Sequence, residues 1–259
     1  MTESLSRRVH RMKPGKAKDF QLALLEGLYK EGLRWPLDRR SDQTPPPDGF
    51  WDVWIYSGGR GAGKTRTGAE EVKAFAESTP NGRILLIART AADVREVLIE
   101  GESGILSVYR DNPDDAPMYT PATRRLKWKN GAMAFATSAD EADSIRGIQA
   151  HFTWADELAS WRFPAKKTGK LSAWDYARLA TRLGINPRII VTTTPKKSKA
   201  LKQIHKQLKA DPLAIRLTQA STWSNAEALS PGYMDAVRGV FEGSALSKTE
   251  LDGQWPWRL

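Results

Sequence analysis

The chain contains no cysteine, which excludes structural disulfides and cysteine-built metal sites and fits a reducing compartment. Histidine is scarce: His10, His151 and His205 have no metal-ligand spacing, which argues against a zinc site built by the protein. No apolar run reaches the roughly eighteen residues of a membrane span, and residues 1–18 are basic and polar without an apolar signal core. The expectation is a soluble, unsecreted protein with no membrane partner. Internal repeats and low-complexity tracts are also missing. Acid is in deficit, with 40 Lys and Arg against 30 Asp and Glu and a net charge of +10. Such a balance points to a polyanionic partner, nucleic acid first and an acidic membrane surface second, although charge argues association and not chemistry. A length of 259 residues allows one substantial α/β core with a small appendage.

The chain divides into three uneven parts. Residues 1–50 read as an N-terminal arm and lead-in: a basic start, an amphipathic helix over 19–33, and a breaker, Thr44-Pro45-Pro46-Pro47-Asp48-Gly49, that cannot continue a helix. Residues 51–217 alternate strand-like and helix-like runs. Strands are expected at 53–56, 83–88, 151–155 and 188–193, with helices at 64–77, 91–100 and 173–183. Asn130-Gly131 marks a hairpin between 124–128 and 132–137. This alternation predicts an α/β fold with a mostly parallel central sheet flanked by helices. Residues 218–259 read as a C-terminal helical linker or lid, with helices at 231–241 and 244–251 after a short strand at 215–218.

Gly58, Gly59, Arg60, Gly61, Ala62, Gly63, Lys64 and Thr65 form a complete G-x-x-x-x-G-K-[ST] phosphate loop between a strand-like and a helix-like run. Backbone N–H groups of such a loop cradle phosphates, Lys64 reaches the β/γ oxygens and Thr65 holds Mg²⁺. Arg66 follows directly and is counted with the nucleotide-binding set, and ATP with Mg²⁺ is the expected ligand. An exposed glycine-rich turn is the bland alternative, which the strand before and the helix after disfavour. A hydrolytic site also needs an acid at a second strand end. Asp156 would position Mg²⁺ and Glu157 would polarise the attacking water, against the alternative of a solvated turn.

The phosphate loop, the run Asp156-Glu157-Leu158-Ala159-Ser160-Trp161-Arg162 and the strand end Val191-Thr192-Thr193-Thr194-Pro195 together resemble the ATPase domain of the large terminase subunit of tailed bacteriophages. Further matches are residues 100–106, Ser144-Ile145-Arg146-Gly147 and Glu250-Leu251-Asp252-Gly253, so the resemblance covers most of the chain from Trp51 onward. It implies a P-loop NTPase of the ASCE type. The corresponding function is an ATP-driven motor that forms a homo-oligomeric ring on a portal protein and moves double-stranded DNA into a procapsid in the host cytoplasm. A small terminase subunit is an implied partner. By the same resemblance, Glu157 is the catalytic base, and Arg146 the arginine proposed to reach a neighbouring subunit's γ-phosphate. Arg60 is a second candidate for sensing that phosphate, and Thr192, Thr193 and Thr194 couple hydrolysis to movement. An Arg before a glycine turn can equally be a surface residue, and threonines simply suit strands.

A basic footprint for DNA is carried by Lys196, Lys197, Lys199, Lys202, Lys206 and Lys209. Four of these, Lys199, Lys202, Lys206 and Lys209, share one face of a helix if one forms. The bland reading is a solvated face. Lys166, Lys167 and Lys170 form a smaller cluster suited to DNA or to a subunit contact. Large terminase subunits usually continue into a nuclease domain. Asp235, Glu242, Glu250 and Asp252 read as surface charges and not as its metal site, so nuclease activity is not expected here and a separate nuclease chain is a possible partner. A helicase-like translocase, a kinase and a non-hydrolysing nucleotide-binding module remain alternatives.

Overall fold

The computed structural model describes residues 4–30, 34–47, 51–164 and 169–258. It divides into two compact units, Met1–Pro45 and Pro46–Leu259. The first is helical. α1 (Leu5–His10) starts at Ser4, whose side chain accepts from the Arg7 N–H, and is followed by α2 (Lys16–Lys30) and α3 (Arg34–Asp38). Val9 and Leu25 are its buried apolar side chains. The helix expected over 19–33 begins three residues earlier, and its last expected residues, 31–33, lie outside the described residues, as do Asp48 and Gly49 of the breaker.

In the second unit, eight strands among the described residues form one sheet. They are β1 (Val53–Gly58), β2 (Arg83–Ala88), β3 (Met118–Thr120), β4 (Arg125–Lys127), β5 (Met133–Ser138), β6 (Phe152–Asp156), β7 (Arg188–Thr193) and β8 (Ile215–Ala220). Their order across the sheet is β3-β4-β5-β2-β6-β7-β1-β8. From β5 to β8 every pairing is parallel, and β3 and β4 add an antiparallel ribbon at one edge. Trp128 and Ala132 close the expected hairpin, where Gly131 takes a φ of 88°. β3 was not expected, because three residues bounded by Pro117 and Pro121 give no alternation to read.

The central strands are buried on both faces, so period-two alternation splits their side chains between two cores. Trp54, Tyr56, Ile84, Leu86 and Trp154 face one, which is closed by α4 (Lys64–Ser78) through Ala69, Val72 and Ala76. Ile55, Leu85, Ile87, Ala155 and Val191 face the other, closed by α6 (Ala173–Ala180) and α7 (Lys199–Ala210) through Trp174, Ala177, Leu201 and Ile204. Each large side chain buried this way contributes about 1.5–3 kcal/mol. α4 can sit close on the sheet because residue 68 is glycine: a Cβ there would run into the Trp154 indole.

The helix expected over 91–100 is α-helical only as α5 (Ala91–Asp93) and continues in wider π geometry over Val94–Ile99. The wider turn buries Val94, Leu98 and Ile99 together, and the chain then folds back so that the N–H groups of Ile105 and Leu106 bond the carbonyls of Leu98 and Ile99. Beyond β8, which runs past the expected boundary at 217, come α8 (Pro231–Phe241) and the single turn α9 (Ser247–Glu250).

Candidate nucleotide site

The phosphate loop joins the buried strand β1 to α4. Gly61 and Gly63 adopt φ of 71° and 83°, the left-handed conformations that turn successive N–H groups to one side, and Gly63 is the N-cap of α4. A helix N-terminus opening directly from a glycine loop is a ready anion site. Tyr56 supports the loop from below, its hydroxyl donating to the Ala62 carbonyl at 3.2 Å. The Lys64 side chain is 10% exposed, and its ammonium donates to the carbonyls of Gly58 (3.2 Å) and Gly59 (3.0 Å). Burial holds the Lys64 pKa below the ordinary lysine value, against the opposing pull of Glu157, Asp156 and Glu250.

Asp156 ends β6 and is buried. Desolvation, then the neighbouring Glu157 charge, pushes its carboxyl up to about 7, while the Thr192 hydroxyl donates to it and opposes the rise. That hydroxyl also accepts from the Trp154 indole N–H at 2.8 Å, so the strand pair β6/β7 positions Asp156 through one threonine. Glu157 turns out of the strand with φ 46°. Its carboxylate takes both donors of Thr194, the N–H at 3.2 Å and the hydroxyl at 3.0 Å, and lies 3.9 Å from the Lys64 ammonium. Thr193 serves the backbone, accepting from the Ala159 N–H at 3.1 Å. Of the three threonines, then, Thr192 and Thr194 hold the two carboxylates.

The remaining expected site residues are more dispersed. Arg60 points to Glu250, with 2.8 Å between Nε and Oε2, and lies over the Phe241 ring at 5.5 Å. Glu250, expected as a free surface charge, is only 14% exposed at its side chain, because it closes against the loop. Arg66 pairs with Glu70 on the next turn of α4. Arg146 is exposed beyond the 3₁₀ turns Ala139–Ile145, lining an open cleft of about 860 Å³ with Asp140, Asp143, Tyr176 and Arg182. The charges acting on Lys64 are those of Glu157, Asp156, Glu250 and Arg60, with Arg146 not among them. The basic stripe is on a helix: Lys199, Lys202, Lys206 and Lys209 are the exposed face of α7 opposite Leu201, Ile204 and Leu208, and Lys196 and Lys197 are exposed just before it. Lys170 is exposed, while Lys166 and Lys167 lie outside the described residues.

Sequence reasoning missed the contribution of the segment after β8. Thr222 and Asn225 donate to the loop carbonyls of Arg60 and Gly61 at 2.7 and 2.8 Å, and Gly253 accepts from Ser57 at 3.2 Å. The Glu250 to Gly253 match was the one visible signal.

A glycine loop between β1 and α4, with the acidic end of β6 set one strand away across β7, defines the P-loop nucleoside triphosphatase fold. Residues 55–258 match the model of the terminase large subunit family, T4likevirus-type, N-terminal region, and the chain belongs to that family. Solved structures share the fold. The large terminase of a thermophilic bacteriophage, in complex with ADP, superposes with a TM-score of 0.64 at 15% identity, over 83% of this chain and 53% of that one. The large terminase of bacteriophage HK97 gives 0.57 at 21% identity, over 94% and 51%. The isolated ATPase domain of the Thermus phage P74-26 large terminase gives 0.59 at 14% identity, over 95% and 100%. The chain thus spans about half the length of the first two of these proteins. A comparison with curated proteins found no match. Among the described residues, no helix is long and apolar enough to cross a membrane.

Proposed function

We propose that this chain is the ATP-hydrolysing part of a motor that drives double-stranded DNA into a phage procapsid. The observation that carries the reading is the carboxylate of Glu157, fixed by both donors of Thr194 within 3.9 Å of the Lys64 ammonium. A structural turn would have no need of such a carboxylate at the mouth of a phosphate loop. The residues fit Mg²⁺ and ATP: the buried Lys64 ammonium has neutral carbonyls as its nearest partners, and Asp156 and Thr65 supply the carboxylate and hydroxyl oxygens that Mg²⁺ takes. When bound, Mg²⁺ would shield phosphate charge and ATP would supply the labile anhydride.

Lys64, which donates to the Gly58 and Gly59 carbonyls here, would hold phosphate oxygens instead, and Asp156 and Thr65 would hold the metal. Glu157 orients and deprotonates the attacking water, its direction set by Thr194. Arg146, exposed in the open cleft beside residues 139–145, is suited to act on a neighbour's site in a homo-oligomeric ring. The lysine face of α7 grips DNA phosphates without regard to sequence. The portal protein and small terminase subunit are the expected partners, and the host cytoplasm the place of action.

The test is ATP turnover by the full chain with and without duplex DNA. Stimulation by duplex without strand separation, lost in Lys64→Ala and Glu157→Gln, is the expected result. Phosphate transfer to a small acceptor, strand unwinding, or unchanged turnover in Glu157→Gln would overturn it.

A further inference from the structure

Residues 255–257 lie against α7 and bring three aromatic rings together there. The Trp255 N–H donates to the Gln219 side chain of β8 at 2.6 Å, and its indole N–H donates to His205 Nδ1 at 3.0 Å. The Trp257 ring stacks on the His205 ring, with 5.4 Å between centroids at 28°, and meets the Trp255 ring edge-on at 6.2 Å. Trp255 belongs to the core beneath α7, whereas Trp257 packs on that core only in part, and both Trp257 and His205 stay part-exposed. Lysines frame this stack. Lys202, Lys206 and Lys209 are all exposed, and α7 carries no acidic residue from Lys199 to Ala210. Helical spacing puts Lys202 and Lys209 on the same side as His205, and Lys209 is near enough for its charge to bear on the imidazole. Arg258, next to Trp257, is exposed as well.

Paired bases present only their edges to a protein, so a duplex can use these lysines but not these rings. An unpaired base offers a π face to an aromatic ring while its phosphates meet the cations on either side, a combination that holds single strands without regard to sequence. We propose that the α7 face with Trp257 and His205 is a site for single-stranded DNA, in which a base stacks against the aromatic pair and Lys202, Lys206 and Lys209 take the flanking phosphates. The proposal rests on the reading of α7 as a phosphate grip and adds to it a preference that duplex cannot meet. An acidic protein segment would satisfy the lysines and leave the rings unused.

The test measures binding of the full chain, by fluorescence anisotropy at one fixed salt concentration, to a labelled oligothymidylate, an abasic strand of the same length and a blunt duplex. The parent should bind the oligothymidylate about tenfold more tightly than the abasic strand. Trp257→Ala should lose most of that factor and leave the abasic strand and the duplex essentially unchanged, a pattern that general loosening of the fold would not give. Trp257→Phe should keep most of the factor, and Lys202→Ala combined with Lys206→Ala should weaken all three probes. Should Trp257→Ala fail to fold, photocrosslinking of the parent to a strand carrying iodouracil decides instead, with the adduct expected on the peptide that holds Trp257 or His205. Equal losses for the thymidylate and abasic strands in Trp257→Ala, no preference of the parent for bases, or an adduct elsewhere would overturn the proposal. So would polyglutamate displacing the labelled strand as well as unlabelled oligothymidylate does, which would mark the face as a dock for an acidic protein. A parent that binds none of the three probes would overturn the phosphate-grip reading of α7 as well, whereas one that binds only duplex would overturn the site for bases alone.

Discussion

Glu157 is one of three non-glycine residues with positive φ among the described residues, at 46°, a conformation that costs of order 1 kcal/mol for a side chain of this kind. The two hydrogen bonds from Thr194 help hold it there. Thr194→Ala should therefore lower ATP turnover about tenfold or more with little effect on nucleotide affinity. Thr194→Ser, which keeps the hydroxyl, should restore most of it. Glu157→Gln should cost on the order of 10²–10⁴ in turnover and leave binding intact, as read by phosphate release beside equilibrium titration. Gly68 allows a different test, since an added methyl meets the rigid Trp154 ring. Gly68→Ala should destabilise the chain by about 1–3 kcal/mol, visible as a lower denaturation midpoint, despite alanine's better helix propensity. That Lys64 and Thr65 open a helix and that Asp156 ends a strand was legible in the sequence, because short-range spacing and the flanking runs carry it. Gly68 and Glu250 were not, because their constraints come from Trp154 and Arg60, 86 and 190 positions away.

Among the elements, β2 and β7 and the helices α4 and α8 could be read almost to the residue from apolar runs and caps. The π turn after α5 could not, since adjacent Leu98 and Ile99 both facing the core violates the helical period. α7 came out as the lysine spacing required, with its apolar stripe inward. Replacing Lys202, Lys206 and Lys209 with alanine should weaken duplex binding uniformly across sequences and flatten the plot of log affinity against log salt by roughly 0.9 for each phosphate no longer neutralised. The same helix presents His205, whose Nδ1 accepts from the Trp255 indole at 3.0 Å, with the Trp257 ring stacked 5.4 Å away. Burial, with Lys209 adding to it, holds the His205 pKa below its ordinary value of 6.5. The unfolded chain thus binds the proton first on acidification, so this contribution to stability is complete above 6.5 and is lost as pH falls through the lower folded value. A protonated Nδ1 cannot accept from Trp255. Melting temperature followed from about pH 7.5 to 5.5 should fall more steeply for the parent than for His205→Gln.

For the molecule as a whole, the +10 charge and the parallel sheet were apparent from composition and alternation. What the sequence hid was how the nucleotide site is finished. Its phosphate loop and acidic strand end lie on neighbouring parts of one sheet, but its outer wall comes from residues 220–253, across the edge strand β8. The Ser57 to Gly253 bond joins positions 196 residues apart. During synthesis at roughly 5–20 residues per second, β1 and α4 emerge some ten to forty seconds before the residues that clasp them. The outer wall of the loop, with the bonds from Thr222 and Asn225 and to Gly253, is therefore the last part of this site to be made.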